Sequence, residues 1–201
     1  PGVTPTALAS ATAEISLGIL SNITVLETGF GFTTPDVTIT GGGVPTTVAT
    51  AQASGGVDNV TVVSGGVYEV QPIVVFSGPN LPGGVQATGT ATMVSLDPAA
   101  VPPTFVVTDV AVVDPGSGYT AAPTVTIFDG TLTQVAPTPA VVTPTIGIAE
   151  ITITNGGAGY DSDPIVTITD ATNPDPVNPD KGASAAATVA GLGAVTSITV
   201  T

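Results

Sequence analysis

Apolar and polar residues alternate along much of the chain, and one pattern of alternation occurs four times. Each copy begins with a short run in which every second residue is apolar. Because successive side chains of a strand point to opposite faces, this period of two predicts a β-strand with one face buried. The apolar members of the four runs are Ile23 and Val25, Val60 and Val62, Val110 and Val112, and Ile151 and Ile153.

An aromatic landmark residue follows each of these strands, at Phe32, Tyr68, Tyr119 and Tyr160. Glycines precede it: one lies three residues before the landmark in every copy, and a second lies directly before it in three copies. Glycine adopts positive φ at low cost, so the pattern predicts a turn or bulge. The second copy has Val67 directly before its landmark, and we expect its turn to differ. The glycines are Gly29, Gly65, Gly116 and Gly157, then Gly31, Gly118 and Gly159.

A proline and a second alternating run follow the landmark, and a third segment rich in Ala and Thr completes the copy. Proline is tolerated at the first residue of a strand, where its missing N–H breaks no ladder bond. The third segment is ATGTATMV from Ala87 in one copy and ASAAATVA from Ala183 in another. The sequence therefore predicts tandem three-stranded repeats, numbered 1 to 4. Their prolines are Pro35, Pro72, Pro123 and Pro164.

The spacing of the landmarks is uneven, at 36, 51 and 41 residues, which argues against a regular solenoid. The longest step contains LDPAAVPPT (residues 96–104), whose three prolines interrupt strand pairing. We predict an all-β fold of two β-sandwich-like domains. Residues 1–96 would hold repeats 1 and 2, and residues 97–201 would hold repeats 3 and 4 with an open C-terminal strand.

Partial copies of the repeat flank the four full ones. ALASATAEISL (residues 7–17) has the pattern of a third strand, and VTSITVT (residues 195–201) has that of a first strand. Unpaired strand edges are templates for pairing with another chain, so we predict head-to-tail assembly into a homopolymer. The assembly strand would contain Val195, Ile198 and Val200. The alternative, compatible with the first, is that each terminal strand folds back as a hairpin.

The charge balance excludes several partners. The chain has one Lys, no Arg and fifteen acidic residues, for a formal net charge of -14. Phosphate recognition and polybasic membrane anchoring both need clustered cations, so we predict no nucleic-acid partner and no such anchor. No run reaches about 18 apolar residues, which predicts no membrane insertion by a helix. His and Cys are absent, and with them the commonest general base and all thiolate chemistry, so we predict a protein that is not an enzyme.

Two Asn residues lie in N-x-S/T sequons at equivalent places in repeats 1 and 2, Asn22-Ile23-Thr24 and Asn59-Val60-Thr61. They predict N-glycosylation of Asn22 and Asn59, although a Thr-rich chain also produces the motif by chance. Thr residues near prolines, as in TPTPAVVTPT, suit O-linked sugars. A glycan coat would keep an apolar surface soluble.

Acidic residues gather towards the end of the chain, at Asp161, Asp163, Asp170, Asp175 and Asp180. Carboxylate and amide oxygens suit Ca²⁺, although the spacing is not that of an EF-hand. Asp, Asn and Pro are equally the ordinary residues of a solvated loop. Calcium is therefore a hypothesis here, and we predict no other cofactor.

GSGYTAAPTVTI and GAGYDSDPIVTIT, each followed by Ala- and Thr-rich strands, resemble a tandem G-x-G-Y/P-T-V-T-I β-repeat of bacterial secreted and cell-surface proteins and phage structural proteins. The chain also looks like the β-rich glycoprotein subunits of environmental extracellular filaments. The resemblance covers about residues 7–201 and implies an extracellular structural subunit. It leaves open two alternatives, a glycan-binding adhesin or stalk module with calcium, and a phage fibre component.

Overall fold

The structure is a computed structural model that describes residues 7–97, 102–130, 138–171, 183–190 and 194–200. Every regular element in these ranges is a β-strand. The expected all-β fold is therefore confirmed. The strands are β1 (Ala7–Ser16), β2 (Ile19–Phe30), β3 (Pro35–Gly41), β4 (Thr50–Ser64), β5 (Ile73–Phe76), β6 (Thr88–Asp97), β7 (Thr104–Asp114), β8 (Val125–Phe128), β9 (Val141–Asn155), β10 (Pro164–Asp170), β11 (Ala183–Ala190) and β12 (Ala194–Val200).

The three strands of each repeat can be followed through this order. The second strands of repeats 1 to 4 are β3, β5, β8 and β10. The third strand of repeat 1 and the first strand of repeat 2 form one continuous strand, β4, and the same junction between repeats 3 and 4 is β9. The junction between repeats 2 and 3 is instead a pair of strands, β6 and β7. β1 has the pattern of a third strand and β12 that of a first strand.

Two compact units divide the chain, and they are nested in sequence. Unit 1 comprises residues 1–55 and 147–201, and unit 2 comprises residues 56–146. The predicted boundary between residues 96 and 97 thus falls inside unit 2. The boundary lies at the last residue of β6, which pairs antiparallel with β7, with Asp97 opposite Thr104. The two strands lie within one unit because repeat 2 combines with repeat 3 in unit 2, while repeat 1 combines with repeat 4 in unit 1.

In unit 1, β3 and β10 pair antiparallel over their whole length, from Pro35 opposite Asp170 to Gly41 opposite Pro164. β11 adds to the free side of β10 and β12 adds to β11, which makes a four-stranded sheet in the order β12-β11-β10-β3. The β1–β2 hairpin contacts this sheet through β1, which touches β10 and β11. The interior side chains include Ile39, Val166 and Ile168.

Unit 2 has the corresponding pair β5–β8, with Ile73 opposite Phe128 and Phe76 opposite Val125. The β6–β7 hairpin supplies a second pair, and β4 and β9 pair with each other. Phe76, Ile127 and Val107 are buried between these strands. Core side chains are mostly Val, Ile and Ala, as expected from an aromatic content of 4%.

The first strands bury the residues that the alternation predicted. Ile23, Val60, Val110 and Ile151 are buried, and their partners two residues later are half-buried. Each first strand has a second buried residue, which lies three positions before the first one. The alternation did not predict it, because an odd spacing breaks the period of two. A bulge explains the offset: Ser21 in β2 and Thr108 in β7 have no residue opposite them. The missed residues are Leu20, Val57, Val107 and Ile148.

Candidate assembly site and surface sites

The landmark aromatics are buried, and the three tyrosines make the same contact. Each hydroxyl accepts the backbone N–H of the Ala that precedes the third strand of the partner repeat: Ala49 to Tyr160 at 2.7 Å, Ala87 to Tyr119 at 2.9 Å and Ala140 to Tyr68 at 2.9 Å. Burial raises the pKa of the Tyr68 hydroxyl, and the charge of Asp129 raises that pKa further. These tyrosines therefore join paired repeats, and their rings are not on the surface.

The turns before the landmarks follow the glycine pattern. In repeat 1, Gly29 and Gly31 have φ of 51° and 86°. Repeat 2 differs, as its Val67 predicted: positive φ falls on Gly66, at 64°, instead of Gly65. A side chain at Gly157, Gly116 or Gly66 would collide with backbone just ahead of the partner repeat's third strand, at Ala49, Ala87 and Ala140 respectively. Glycine is therefore required at these positions both for the turn and for the close approach of that strand.

Repeat 1 has a different neighbour at this place. A side chain at Gly29 would collide with Ala9 of β1, not with the third strand of repeat 4. The backbone pairing agrees, because Ala7 of β1 lies opposite Phe30. The equivalent contacts in the other repeats are the bridges from Thr47 to Ala158 and from Val67 to Thr138. The space alongside β2 is filled by β1. We call this space the β2 slot.

Within a single chain the terminal strands form hairpins. β1 pairs antiparallel with β2, and β12 pairs antiparallel with β11, which places Val200 opposite Ala185, Ile198 opposite Ala187 and Val195 opposite Val189. In the described part of the chain, β12 pairs on one side only and β3 pairs on one side only. The four-stranded sheet thus presents two backbone edges to which another strand could add.

Asp170, one of the candidate calcium ligands, holds the turn of repeat 1. Its carboxylate accepts the N–H groups of Thr33 at 2.6 Å and Thr34 at 3.2 Å, and also the Thr33 hydroxyl at 2.9 Å. Asp129 occupies the same place in unit 2, where it accepts the N–H groups of Glu69 and Val70 at 3.4 Å. Asp129 was not among the residues predicted from sequence, although it follows Pro123 by six residues as Asp170 follows Pro164.

The other candidate calcium ligands are dispersed. Asp161 is exposed, and its N–H donates to the carbonyl of Gly42 at 2.9 Å. Asp163 lies beside β1, and Asp175 and Asp180 lie outside the described residues. Among the residues that the structure covers, no three acidic side chains come together as a metal site. Calcium binding by Asp161, Asp163, Asp170, Asp175 and Asp180 stays a hypothesis.

Asp163 has an environment unfavourable to its charge. Burial raises the pKa of its carboxyl group, and the negative charge of Glu14 in β1 adds to the effect, while a hydrogen bond from the Ile15 N–H opposes it. One carboxylate oxygen is buried without a hydrogen-bond partner in the described structure. The ionised form of Asp163 is therefore less favourable in the folded chain than in the unfolded chain.

The two sequon asparagines are exposed and equivalent. The side-chain amide of Asn22 lies 3.2 Å from the Thr24 hydroxyl, and that of Asn59 lies 3.2 Å from the Thr61 hydroxyl. Residues two apart on a strand share a face, so each Asn and its Thr project together into solvent. N-glycosylation of Asn22 and Asn59 stays a prediction, with both side chains accessible.

Nothing in the described ranges is a helix of the length and apolarity that crossing a bilayer requires. In comparisons with known proteins, no family model, no curated protein and no solved structure matched this chain.

Proposed function

We propose that this protein is a non-enzymatic structural subunit of an extracellular filament or fibre, and that it assembles head to tail through its terminal strands. The observation that supports this most directly is the four-stranded sheet of unit 1, which carries the terminal strand β12 at one edge and β3 at the other. Strand addition at such edges satisfies backbone donors and acceptors between chains. Because the two edges differ, the contact is heterologous and generates an open chain of subunits.

The use of the polar side chains also supports a structural role. The tyrosine hydroxyls and the carboxylates of Asp129 and Asp170, which would be candidates for chemistry elsewhere, bind backbone N–H groups of paired repeats. These groups therefore stabilise the fold. The chain also has no His and no Cys.

An extracellular location agrees with the same features. A single Lys and no Arg leave trypsin-like proteases one site, and exposed sequons at Asn22 and Asn59 can carry the sugars of a secreted protein. The net charge of -14 makes subunits repel one another, which opposes non-specific aggregation. Assembly then depends on specific contacts between subunits.

Electron microscopy of the purified protein tests the proposal, with and without residues 195–201. We expect uniform fibres from the full chain and dispersed particles of unchanged circular dichroism from the shortened chain. Full-length protein that stays monomeric and binds a glycan array would contradict the proposal and favour a glycan-binding module. A discrete trimer would favour a phage fibre component.

A further inference from the structure

Unit 2 shows how two repeats combine when both are complete. The first strand of repeat 2 lies in β4 and pairs with β9, which contains the third strand of repeat 3. Reciprocally, the first strand of repeat 3, β7, pairs with β6, the third strand of repeat 2. The second strands, β5 and β8, pair with each other. Each first strand is thus matched by the third strand of the partner repeat.

Unit 1 follows the rule for two of its three pairs. β3 pairs with β10, and the third strand of repeat 1 in β4 pairs with the first strand of repeat 4 in β9. By this rule β2, which is the first strand of repeat 1, should pair with β11, which is the third strand of repeat 4. In the structure β1 occupies that place, and β11 lies instead between β10 and β12.

β1 fills the β2 slot with small side chains. Ala9, Ala11 and Ala13 point into unit 1 and are at most 1% exposed. Interiors are close-packed, so a strand in this slot needs small residues at these alternate positions. β11 has the same spacing in its sequence: ASATAEIS (residues 9–16) corresponds to ASAAATVA (residues 183–190), with Ala at the first, third and fifth positions of both. Two strands of one chain therefore suit one slot.

The chain is long enough for β11 to reach the β2 slot. In repeat 3, ten residues connect Asp129 to Ala140, which stands just before the third strand in its slot. In repeat 4, twelve residues separate the equivalent Asp170 from Ala183. The connection in repeat 4 is therefore longer than one that already spans the same step.

The hinge of β1 is a two-residue turn under backbone strain. Leu17 has φ of 54° and is fully exposed, and Gly18 follows with φ of 75°. A residue with a Cβ seldom adopts this conformation, and short strained hinges favour the exchange of a segment between copies. β4 and β9 show that the same junction, from a third strand to the next first strand, can also run straight.

We propose that β1 is an exchangeable strand: β1 of one copy fills the β2 slot of a second copy, and β11 closes any slot that no β1 occupies. The inference rests on the proposed head-to-tail assembly and adds a second contact between subunits to the one at the β12 and β3 edges, with β1 as the donor strand and the β2 slot as the acceptor. The partner is a second copy of this chain, because the slot accepts the small-residue pattern that β1 carries. Opening at Leu17 and Gly18 extends β1 away from its own unit.

Two single-cysteine variants report the exchange, since the natural chain has no Cys. Glu14 in β1 lies opposite Asn22 in β2, with their side-chain polar atoms 3.4 Å apart. We mix E14C with N22C, allow assembly, oxidise, and separate the products on a non-reducing gel. Disulfide-linked dimers that form in the mixture, and in neither variant alone, are expected. Fibres without such dimers would overturn the exchange of β1 while leaving the proposed function intact.

The matched control lies in unit 2. Thr92 and Asp109 face each other in β6 and β7 at the positions equivalent to Glu14 and Asn22, and both are exposed. A mixture of T92C with D109C should give no cross-linked dimer, because β6 is not exchanged. Equal dimer yields in the two mixtures would mean random collision and would contradict the proposal.

The double variant E14C/N22C fixes β1 in its own slot when oxidised. We expect loss of fibres in the oxidised state and their recovery with reductant. Fibres that persist in the locked protein would contradict the proposal. If the unmodified chain forms no fibres, the proposed function fails, yet cross-linked dimers in the first mixture would still demonstrate exchange.

A second disulfide tests the role of β11. Thr188 follows Ala183 by five residues, as Glu14 follows Ala9. In the full chain with A11E, which places a charge at a buried position of β1, N22C and T188C should form an intramolecular disulfide. The same pair with native Ala11 should stay reduced in the monomer. A folded A11E chain, judged by circular dichroism, that lacks the disulfide would overturn the substitution of β11 for β1.

Discussion

Unit 2 and unit 1 are built from the same kind of repeat, yet only unit 2 is completed by its own two repeats. Its six strands pair as three reciprocal couples. Unit 1 has the same arrangement with β1 in place of β11, and the displaced β11 and β12 extend a sheet. Because the departure from repeat pairing is confined to unit 1, we place the proposed contact with another copy there.

The carboxylates that hold the turns provide the largest expected contrast between the units. Asp170 accepts the N–H groups of Thr33 at 2.6 Å and Thr34 at 3.2 Å, whereas both N–H groups that Asp129 accepts lie at 3.4 Å. Removing a buried charged acceptor leaves its donors unsatisfied, so D170A should cost about 3 kcal/mol and D129A about 1 kcal/mol of unfolding free energy. Urea denaturation of both variants measures this. Equal losses would show that bond length is a poor guide here.

Overpacking of a third strand distinguishes a fixed strand from an exchangeable one. Ala91 in β6 and Ala13 in β1 are buried at equivalent positions. A91L should cost about 2 kcal/mol, because β6 has no substitute. A13L should cost less, since β11 can take the β2 slot. Urea denaturation of both variants measures the two losses of unfolding free energy. Equal losses for A91L and A13L would argue that β11 never enters the β2 slot.

The tyrosine hydroxyls should contribute less to the free energy of unfolding than the carboxylate that holds the turn of repeat 1. The Tyr119 hydroxyl accepts the N–H of Ala87 and also donates to the carbonyl of Ser77 at 2.9 Å, while the Tyr160 hydroxyl accepts the N–H of Ala49. Y119F and Y160F should each cost about 1 kcal/mol, with Y119F the larger loss because two bonds disappear. Thermal unfolding followed by circular dichroism provides the comparison. A stabilised Y119F would contradict the assigned role.

The smallest effect should be a pH dependence confined to unit 1. The pKa of Asp163 is raised in the fold by burial and by Glu14, so its stabilising contribution is complete below the unfolded pKa of about 3.9 and is lost as pH rises through the folded pKa. D163N should therefore raise the Tm at neutral pH and leave it nearly unchanged near pH 3. In unit 2 the equivalent residue of repeat 3 is Ala122, and A122N serves as the control, expected to show no such pH dependence.

The repeat itself was predictable from sequence, because its signals are local. The period of two located the strands and their buried residues Ile23, Val60, Val110 and Ile151, and the glycines located the turns. The bulges hid Leu20 and its three equivalents, since an inserted residue shifts the alternation. Asp129 and Asp170 likewise gained their roles only through residues about 60 and 137 positions away.

An all-β chain of four three-stranded repeats with a strongly acidic composition follows from the amino-acid order alone, because composition and short-range periodicity are properties of neighbours along the chain. The combination of repeat 1 with 4 and of repeat 2 with 3, and the choice of β1 over the similar β11 as the neighbour of β2, became visible in the fold. Strands of one repeat family match one another almost equally well in side-chain pattern. The choice among them therefore depends on connections and packing that no single segment encodes.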